Sequence, residues 1–407
     1  MFGLRQTVLL AVALCCGSPS AALGPVQPTK DSFYTPPEGY ECALPGTILR
    51  NRTVPSSLAV SGVSAAYQLL YRTTDSFGEP LATVTTILVP RNNADPTKLL
   101  SYQFAEDAAY LNCAPSYVMQ YFADSGGPFG TLVSNLELGH LGDALKKGWY
   151  VAVPDFLGPK SAFLANTLAG HAVLDGIRAA LQADAVKLSK DARVALWGYS
   201  GGSLASEFAA ELHPTYAPEL KIVGAALGGT VPSILSVFYT INKTIFAGLI
   251  ATGIVGLAVE YPEVASLVAS QIIPAKVDVI TKISSQCLGA NVLTFANQDL
   301  FSYTKDPDVF NSALVKTVTD ANNPGHATPS TPIYIYKGAK DQISPVADTD
   351  RLVDTYCAAG ATVQYQRLPD ADHVGLMFSG AAGALSWLSD RLGNVPAKQG
   401  CVRSTGP

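Results

Sequence analysis

Ser200 stands in the pentapeptide Gly198-Tyr199-Ser200-Gly201-Gly202, after the apolar run Val194 to Trp197 and before the helix-like stretch Ser203 to Leu212. A serine hydroxyl is a poor nucleophile at neutral pH, and needs to be thrust clear of the backbone, beside a base and above backbone N–H donors. A G-x-S-x-G turn between a strand and a helix does this, with Gly198 and Gly202 removing Cβ atoms that so sharp a turn would bring into collision. An ordinary Gly/Ser turn is the competing reading of five such residues, and the strand-to-helix setting favours a nucleophile elbow.

A nucleophilic serine needs a base, and the chain has only five histidines: His140, His171, His213, His326 and His373. Downstream of the elbow, His213 ends the helix-like stretch, and His326 lies in a Pro/Gly-rich segment with no strand before it. His373 follows the alternating pattern Thr362 to Leu368 and precedes an apolar run to Leu392, so it sits on a strand-to-helix loop from which it can reach a serine. An acid to orient that histidine belongs at a strand's C-terminal end, where α/β sheets place their chemistry. Pro332 to Lys337 reads as a buried strand, and Asp341 lies on the loop after it. Asp348 and Asp350 compete, but they follow Pro345, where a helix begins, and suit its first turn. A turn aspartate bonding local backbone is the plain reading of Asp341.

With these residues in place the chain resembles the fungal secretory lipases. The resemblance spans most of the mature chain and rests on Gly198 to Gly202, on Asp341 and His373, on Glu106-Asp107 followed by Asn112 to Ser116, and on Gly148 to Asp155. It implies an α/β-hydrolase fold with a large, mostly helical cap or lid insertion, and hydrolysis of carboxylic esters, often triacylglycerols. The oxyanion hole of such a site uses the N–H of Gly201 and a second donor from an early strand's loop. No H-G-G-G motif is present, and the resemblance carries the second donor onto Asp107, which read alone is equally a solvated acid or an N-cap. Asp155 matches a family motif position and is assigned loop structure only.

Composition agrees with secretion. A short basic start with Arg5, an apolar stretch from Thr7 to Cys16 and small residues from Gly17 to Gly24 form a signal peptide over residues 1–23. Its removal takes one arginine and no acid, moving the formal charge from −5 to −6. A mildly acidic chain without a basic cluster argues against a nucleic-acid partner. Cys15 and Cys16 leave with the signal, so Cys42, Cys113, Cys287, Cys357 and Cys401 remain in an oxidising compartment. Spacing leaves their pairing open; the resemblance implies Cys113 with Cys287 and Cys357 with Cys401, which makes Cys42 the odd thiol. No C-x-x-C spacing or histidine pair suggests a metal, and the chemistry requires no cofactor. Asn51 and Asn242 stand in sequons that permit glycosylation.

Two antiparallel strands, Ala65 to Arg72 and Leu81 to Pro90, are expected first. Strand and helix signals then alternate, with strands near Leu99 to Phe104, Trp149 to Pro154, Val194 to Trp197 and Lys221 to Leu227, as in a largely parallel sheet. The alternation breaks near Gly228 and resumes at Pro332. The expected organisation is therefore a core over residues 24–228, a helical cap over 229–328 and a second core segment over 329–407. Within the cap, Ile245 to Val259 is uncharged and too short to span a bilayer; it reads as a buried helix or as a lid meeting acyl chains. The expected protein is a secreted, monomeric triacylglycerol lipase working through an acyl-enzyme on Ser200, in transient contact with a lipid–water interface and without a transmembrane anchor. Alternatives are a carboxylesterase or acyltransferase of other substrates, then a peptidase or a silent binding protein.

Overall fold

The computed structural model describes residues 24–124 and 126–406, so the expected signal peptide, with Cys15 and Cys16, lies outside the described residues. Its centre is one ten-stranded sheet built from β1 (Ile48–Thr53), β2 (Val63–Thr74), β3 (Pro80–Pro90), β4 (Lys98–Gln103), β5 (Tyr150–Pro154), β6 (Arg193–Tyr199), β7 (Ile222–Gly228), β8 (Ile333–Gly338), β9 (Val363–Leu368) and β10 (Cys401–Thr405). The spatial order is β1-β2-β3-β5-β4-β6-β7-β8-β9-β10. β1, β2, β3 and β5 pair antiparallel in succession, and every pairing from β5 through β4 to β10 is parallel.

The central strands are buried at nearly every position because both faces are covered. Along β6, Val194 and Leu196 pack into the layer formed with helices Asn166–Gln182 and Gly201–Tyr216, while Ala195 and Trp197 pack into the opposite layer. That second layer holds helices Leu132–Lys146 and Ala381–Leu392, through Leu141, Leu145, Trp387 and Leu388. The two edge strands were not expected. β1 carries Arg50, Asn51 and Arg52 and shows no apolar alternation, and β10 is almost wholly exposed, so pairing with β2 and β9 defines them rather than local pattern.

Between β7 and β8 lie helices Ile234–Ile241, Gly248–Glu260, Pro262–Gln271, Val277–Thr281, Leu288–Phe295 and Ala313–Ala321. The uncharged run from Ile245 is helical only from Gly248, and Ile245 itself is exposed. Ile250 and Leu257 are buried in the larger core cluster. At Gly256 the helix packs so closely that a Cβ would stand 2.4 Å from the Phe163 carbonyl oxygen. Ile250 and Leu257 are therefore core side chains, in keeping with the buried-helix reading of this run. Among the described residues no helix is long and apolar enough to cross a membrane, and no group of three or more His, Cys, Asp or Glu is placed to hold a metal ion.

Disulfides join Cys113 to Cys287 and Cys357 to Cys401, and Cys42 is a free, exposed thiol. The first draws the loop at Gly126, whose carbonyl accepts from the Cys287 N–H at 2.9 Å, against helix Leu288–Phe295. The second ties the helix Val346–Ala358 to β10. The two sequon asparagines differ in setting. Asn51 is exposed on the edge strand β1, whereas the Asn242 side chain donates to Asp299 Oδ1 and accepts from the Leu300 N–H, both at 2.8 Å. Denatured but unreduced mature protein should expose one thiol per chain to a maleimide, mapped to Cys42; three or five labelled cysteines would contradict the pairing. Removing Cys357–Cys401 by double serine substitution should lower stability by about 2–4 kcal/mol, read by denaturant unfolding.

Candidate active site

β6 ends at Tyr199, and Ser200 follows with φ 52° and ψ −121°, a backbone region costly for any residue but glycine. Neighbours hold it there. The Ser200 N–H donates to the Gly228 carbonyl at 2.8 Å, and the Ser203 N–H and hydroxyl both donate to the Ser200 carbonyl. The turn closes only because of two missing side chains: a Cβ on Gly198 would lie 2.1 Å from Gly202 O, and one on Gly202 would lie 2.0 Å from Gln103 O. Gly201 then opens the helix, where the first N–H groups have no intrahelical acceptor.

His373 and Asp341 meet this serine. His373 is the first residue of helix His373–Ser379 rather than a loop residue; Asp372 caps that helix by accepting from the Gly375 N–H. Its ring lies 2.8 Å from Ser200 Oγ through Nε2 and 2.7 Å from Asp341 Oδ2 through Nδ1. Backbone contacts fix the ring's position: the His373 N–H donates to Gln342 Oε1 at 2.9 Å, and the Tyr199 hydroxyl donates to the His373 carbonyl. Asp341 Oδ1 accepts from the N–H groups of Ile343 (2.9 Å) and Ser344 (2.8 Å), and the Lys337 ammonium lies 2.8 Å from Oδ2. Burial pushes the Asp341 carboxyl up, but His373 and Lys337 together outweigh it and hold the group well below the usual range. Burial pushes Lys337 down against the pull of Asp341.

The competing residues are engaged elsewhere. Asp348 pairs with Arg351 in the first turn of its helix, and Asp350 accepts from the Tyr365 hydroxyl and Arg367. His213 bonds the Leu220 carbonyl, His326 the Asp320 carbonyl, His140 stacks on Trp197 and His171 lies against Tyr216.

Asp107 follows β4 with φ 41° and lies over the elbow, its Oδ1 1.9 Å from where a Cβ on Gly201 would be. It is neither solvated nor an N-cap: it is buried, Oδ1 has no partner among the described residues, and burial pushes its carboxyl up to about 7. Glu106 beside it is buried with both carboxyl oxygens unpartnered and is pushed well above its ordinary range by burial and by the nearby Asp155 and Asp107. Asp155, directly after β5, accepts from the Ser116 N–H at 2.8 Å and from its hydroxyl, so this loop position is a buried anchor; burial moves it to about 7.

Ser200, His373 and Asp107 open onto a cavity of about 330 Å³ whose other walls are apolar, among them Phe246, Leu249, Leu288 and Met377. At its mouth Phe129, Leu132, Leu136, Leu293 and Val374 are exposed. A narrower space beside Ser200 and Gly201 continues between Phe163, Leu164, Val237 and Phe238.

A twisted, mainly parallel sheet covered on both faces, with a serine on a strained strand-to-helix turn, is the α/β-hydrolase fold. The secretory lipase family matches residues 124–400, and the chain belongs to that family, consistent with a secreted hydrolase of carboxylic esters. Lipase A of Arthroderma benhamiae is 46% identical over 396 residues, covering 95% of this chain and 84% of its own. Candida antarctica lipase A, in a crystal structure of its closed state, superposes with a TM-score of 0.87 at 31% identity, covering 94% of this chain and 90% of that one. A Mycobacterium tuberculosis relative, 39% identical over 391 residues and covering 94% of this chain and 86% of its own, carries the name "probable inactive lipase". Ancestry therefore does not by itself decide activity; side-chain geometry must.

Three features escaped the sequence reading. Lys337 was legible as a charge inside a buried strand four residues before Asp341, and Gln342 as its neighbour, whereas nothing in the pattern marked Phe129 or Leu293 as a cavity rim. The buried carboxyls also set a pH dependence. Asp107 and Asp155 are raised to about 7, and Glu137 and Glu207 to about 8, chiefly by burial. A carboxyl raised on folding contributes stability that is fully present below its unfolded value and lost as pH rises through the folded one. Asp341, depressed on folding, acts oppositely and contributes less as pH falls below about 4. The melting temperature should therefore peak between about pH 4 and 5 and decline toward pH 8; calorimetry showing a rise across that interval would contradict the assignment.

Proposed function

We propose that the protein is a triacylglycerol lipase acting through an acyl-enzyme on Ser200. The observation that carries this is the continuous chain Ser200 Oγ, His373 Nε2, His373 Nδ1 and Asp341 Oδ2, with contacts of 2.8 and 2.7 Å, opening on an apolar cavity. His373 takes the Ser200 proton at Nε2 as Oγ attacks the ester carbonyl carbon. The tetrahedral oxyanion accepts from the N–H groups of Gly201 and Asp107. His373 then returns the proton to the departing alkoxide, leaving the acyl group on Oγ. Water repeats the sequence: His373 removes its proton, the hydroxide oxygen adds to the acyl carbon, and the proton goes to Ser200 Oγ as the acid leaves. Asp341 holds the imidazole tautomer and stabilises the transient imidazolium.

The apolar walls favour acyl chains over peptides, which need polar partners for their N–H and C=O groups. Residues 229–328 serve as the cap: Phe246, Leu249 and Leu288 from this stretch wall the cavity. The exposed ring of Phe129, Leu132, Leu136, Leu293 and Val374 suits transient seating of a monomer on a lipid–water interface, since apolar patches of this kind on soluble proteins usually mark contact sites.

Ser200→Ala should lower ester hydrolysis by about 10⁴-fold or more and abolish fluorophosphonate labelling in a protein that remains folded. A folded variant with half its activity would remove Ser200 from the role. Asp341→Asn should cost far more activity than Asp348→Asn; the reverse order would move the acid. Running p-nitrophenyl esters from C2 to C18 beside triolein emulsion and a peptide amide separates lipase, esterase and peptidase.

For the interface, Phe129→Asp and Leu293→Asp should weaken emulsion hydrolysis more than hydrolysis of a soluble short ester and leave the melting temperature unchanged. Ile250→Asp, in the core, should lower both rates together with the melting temperature. Parallel losses in all three variants would defeat the interfacial reading.

A further inference from the structure

Lys337 is the only charged residue of β8, and its side chain has no exposed surface. Its ammonium lies 2.8 Å from Asp341 Oδ2 and donates to the Thr230 carbonyl at 2.8 Å. Asp341 Oδ2 is also the oxygen facing His373 Nδ1. One carboxylate oxygen is thus shared by a fixed ammonium and by the imidazole that faces Ser200. A methionine or leucine would fill the same space without the cost of drying an ammonium, so packing alone does not account for a lysine here.

We propose that Lys337 is a positioning residue for the proton transfer: acting through Asp341, it anchors the carboxylate against His373 and offsets part of its charge. This rests on the roles assigned above to Ser200, His373 and Asp341. An opposite charge nearby favours the charged form of an imidazole, and a cation behind that charge opposes it. A general base works only when unprotonated. Because Asp341 stands between the two, it still stabilises the imidazolium formed in the transition state.

The surrounding charges leave this pair dominant. Glu207, on helix Gly201–Tyr216, is raised to about 8 by burial and accepts from the Thr230 hydroxyl, so near neutral pH it is protonated. Asp348, on helix Val346–Ala358, pairs with Arg351. On the His373 side, Asp372 is exposed and caps its own helix. Asp107 lines the same cavity and is raised to about 7 by burial; it is common to every variant below and cancels from the comparison.

The test is kcat/KM against pH for a soluble p-nitrophenyl ester, using the mature enzyme and its Lys337→Met and Lys337→Gln variants. Both should move the acidic limb up by about one pH unit, the lower end of what a neighbouring charge produces. Glutamine keeps a hydrogen-bond donor without the charge, so a Lys337→Gln limb identical to wild type would overturn the charge argument. An unmoved or lowered limb in Lys337→Met would overturn it equally. Should Lys337→Met fail to fold, Asp341→Asn and the double variant Lys337→Met/Asp341→Asn decide. The single change leaves a lone buried ammonium and should lower the melting temperature, and the second should restore much of that loss. A double variant no more stable than Asp341→Asn would break the coupling. Ser200→Ala separates the two levels: if it keeps activity, the assignment of the nucleophile has failed, whereas an inactive Ser200→Ala with an unmoved Lys337→Met limb sinks this inference alone.

Discussion

The site depends first on a backbone turn that the chain would not adopt by preference. A non-glycine residue in the region Ser200 occupies costs on the order of 1–3 kcal/mol and persists only when its surroundings over-determine it. The surroundings are the sheet itself. β6 lies between β4 and β7, so the turn is pinned to the Gly228 carbonyl at the end of β7, while Gly202 presses on Gln103 at the end of β4. The loops after β4, β8 and β9 leave the sheet at the same end and bring Asp107, Asp341 and His373 to the serine. Strand order thus converts four distant stretches of sequence into one locus.

Around that locus the fold handles buried acids in two opposite ways. Asp341 is surrounded by two backbone N–H donors, an ammonium and an imidazole, and so stays ionised in a dry place. Glu106 and Asp107 lack such donors on their free oxygens, and burial drives them toward the protonated form. Charge is retained only where donors are supplied, and here they are supplied beside His373. The same rule makes the Lys337–Asp341 pair vulnerable: removing one member strands the other, which for buried pairs costs about 3–5 kcal/mol.

The elbow, Asp341 and His373 were legible because each joins a residue of distinctive chemistry to an unmistakable neighbour, a glycine-flanked turn or the end of an apolar strand. Eight of the ten strands announced themselves through apolar runs or alternation for the same reason. β1 and β10 did not, since edge strands with polar side chains owe their order to a partner strand and, for β10, to Cys357–Cys401. Burial of the run containing Ile250 and Leu257 was legible, but not which face turns inward: an uncharged helix looks the same on every side, and only its neighbours choose which side is buried. Lys337 was visible as an anomaly, but its meaning required the distance to Asp341.

The bonding of Asn242 bears on biosynthesis. Its amide nitrogen, the atom that would carry a sugar, donates to Asp299, and its oxygen holds the Leu300 N–H, joining the end of helix Ile234–Ile241 to the turn Leu300–Tyr303. Oligosaccharide is attached before such contacts form, so a chain modified there would reach its folded state with this clasp obstructed. Asn51 poses no such conflict: a sugar on that exposed edge strand would cost no internal bond and would screen backbone groups that could otherwise recruit a second sheet. The two acceptor sequences, alike on paper, place opposite demands on the secretory route.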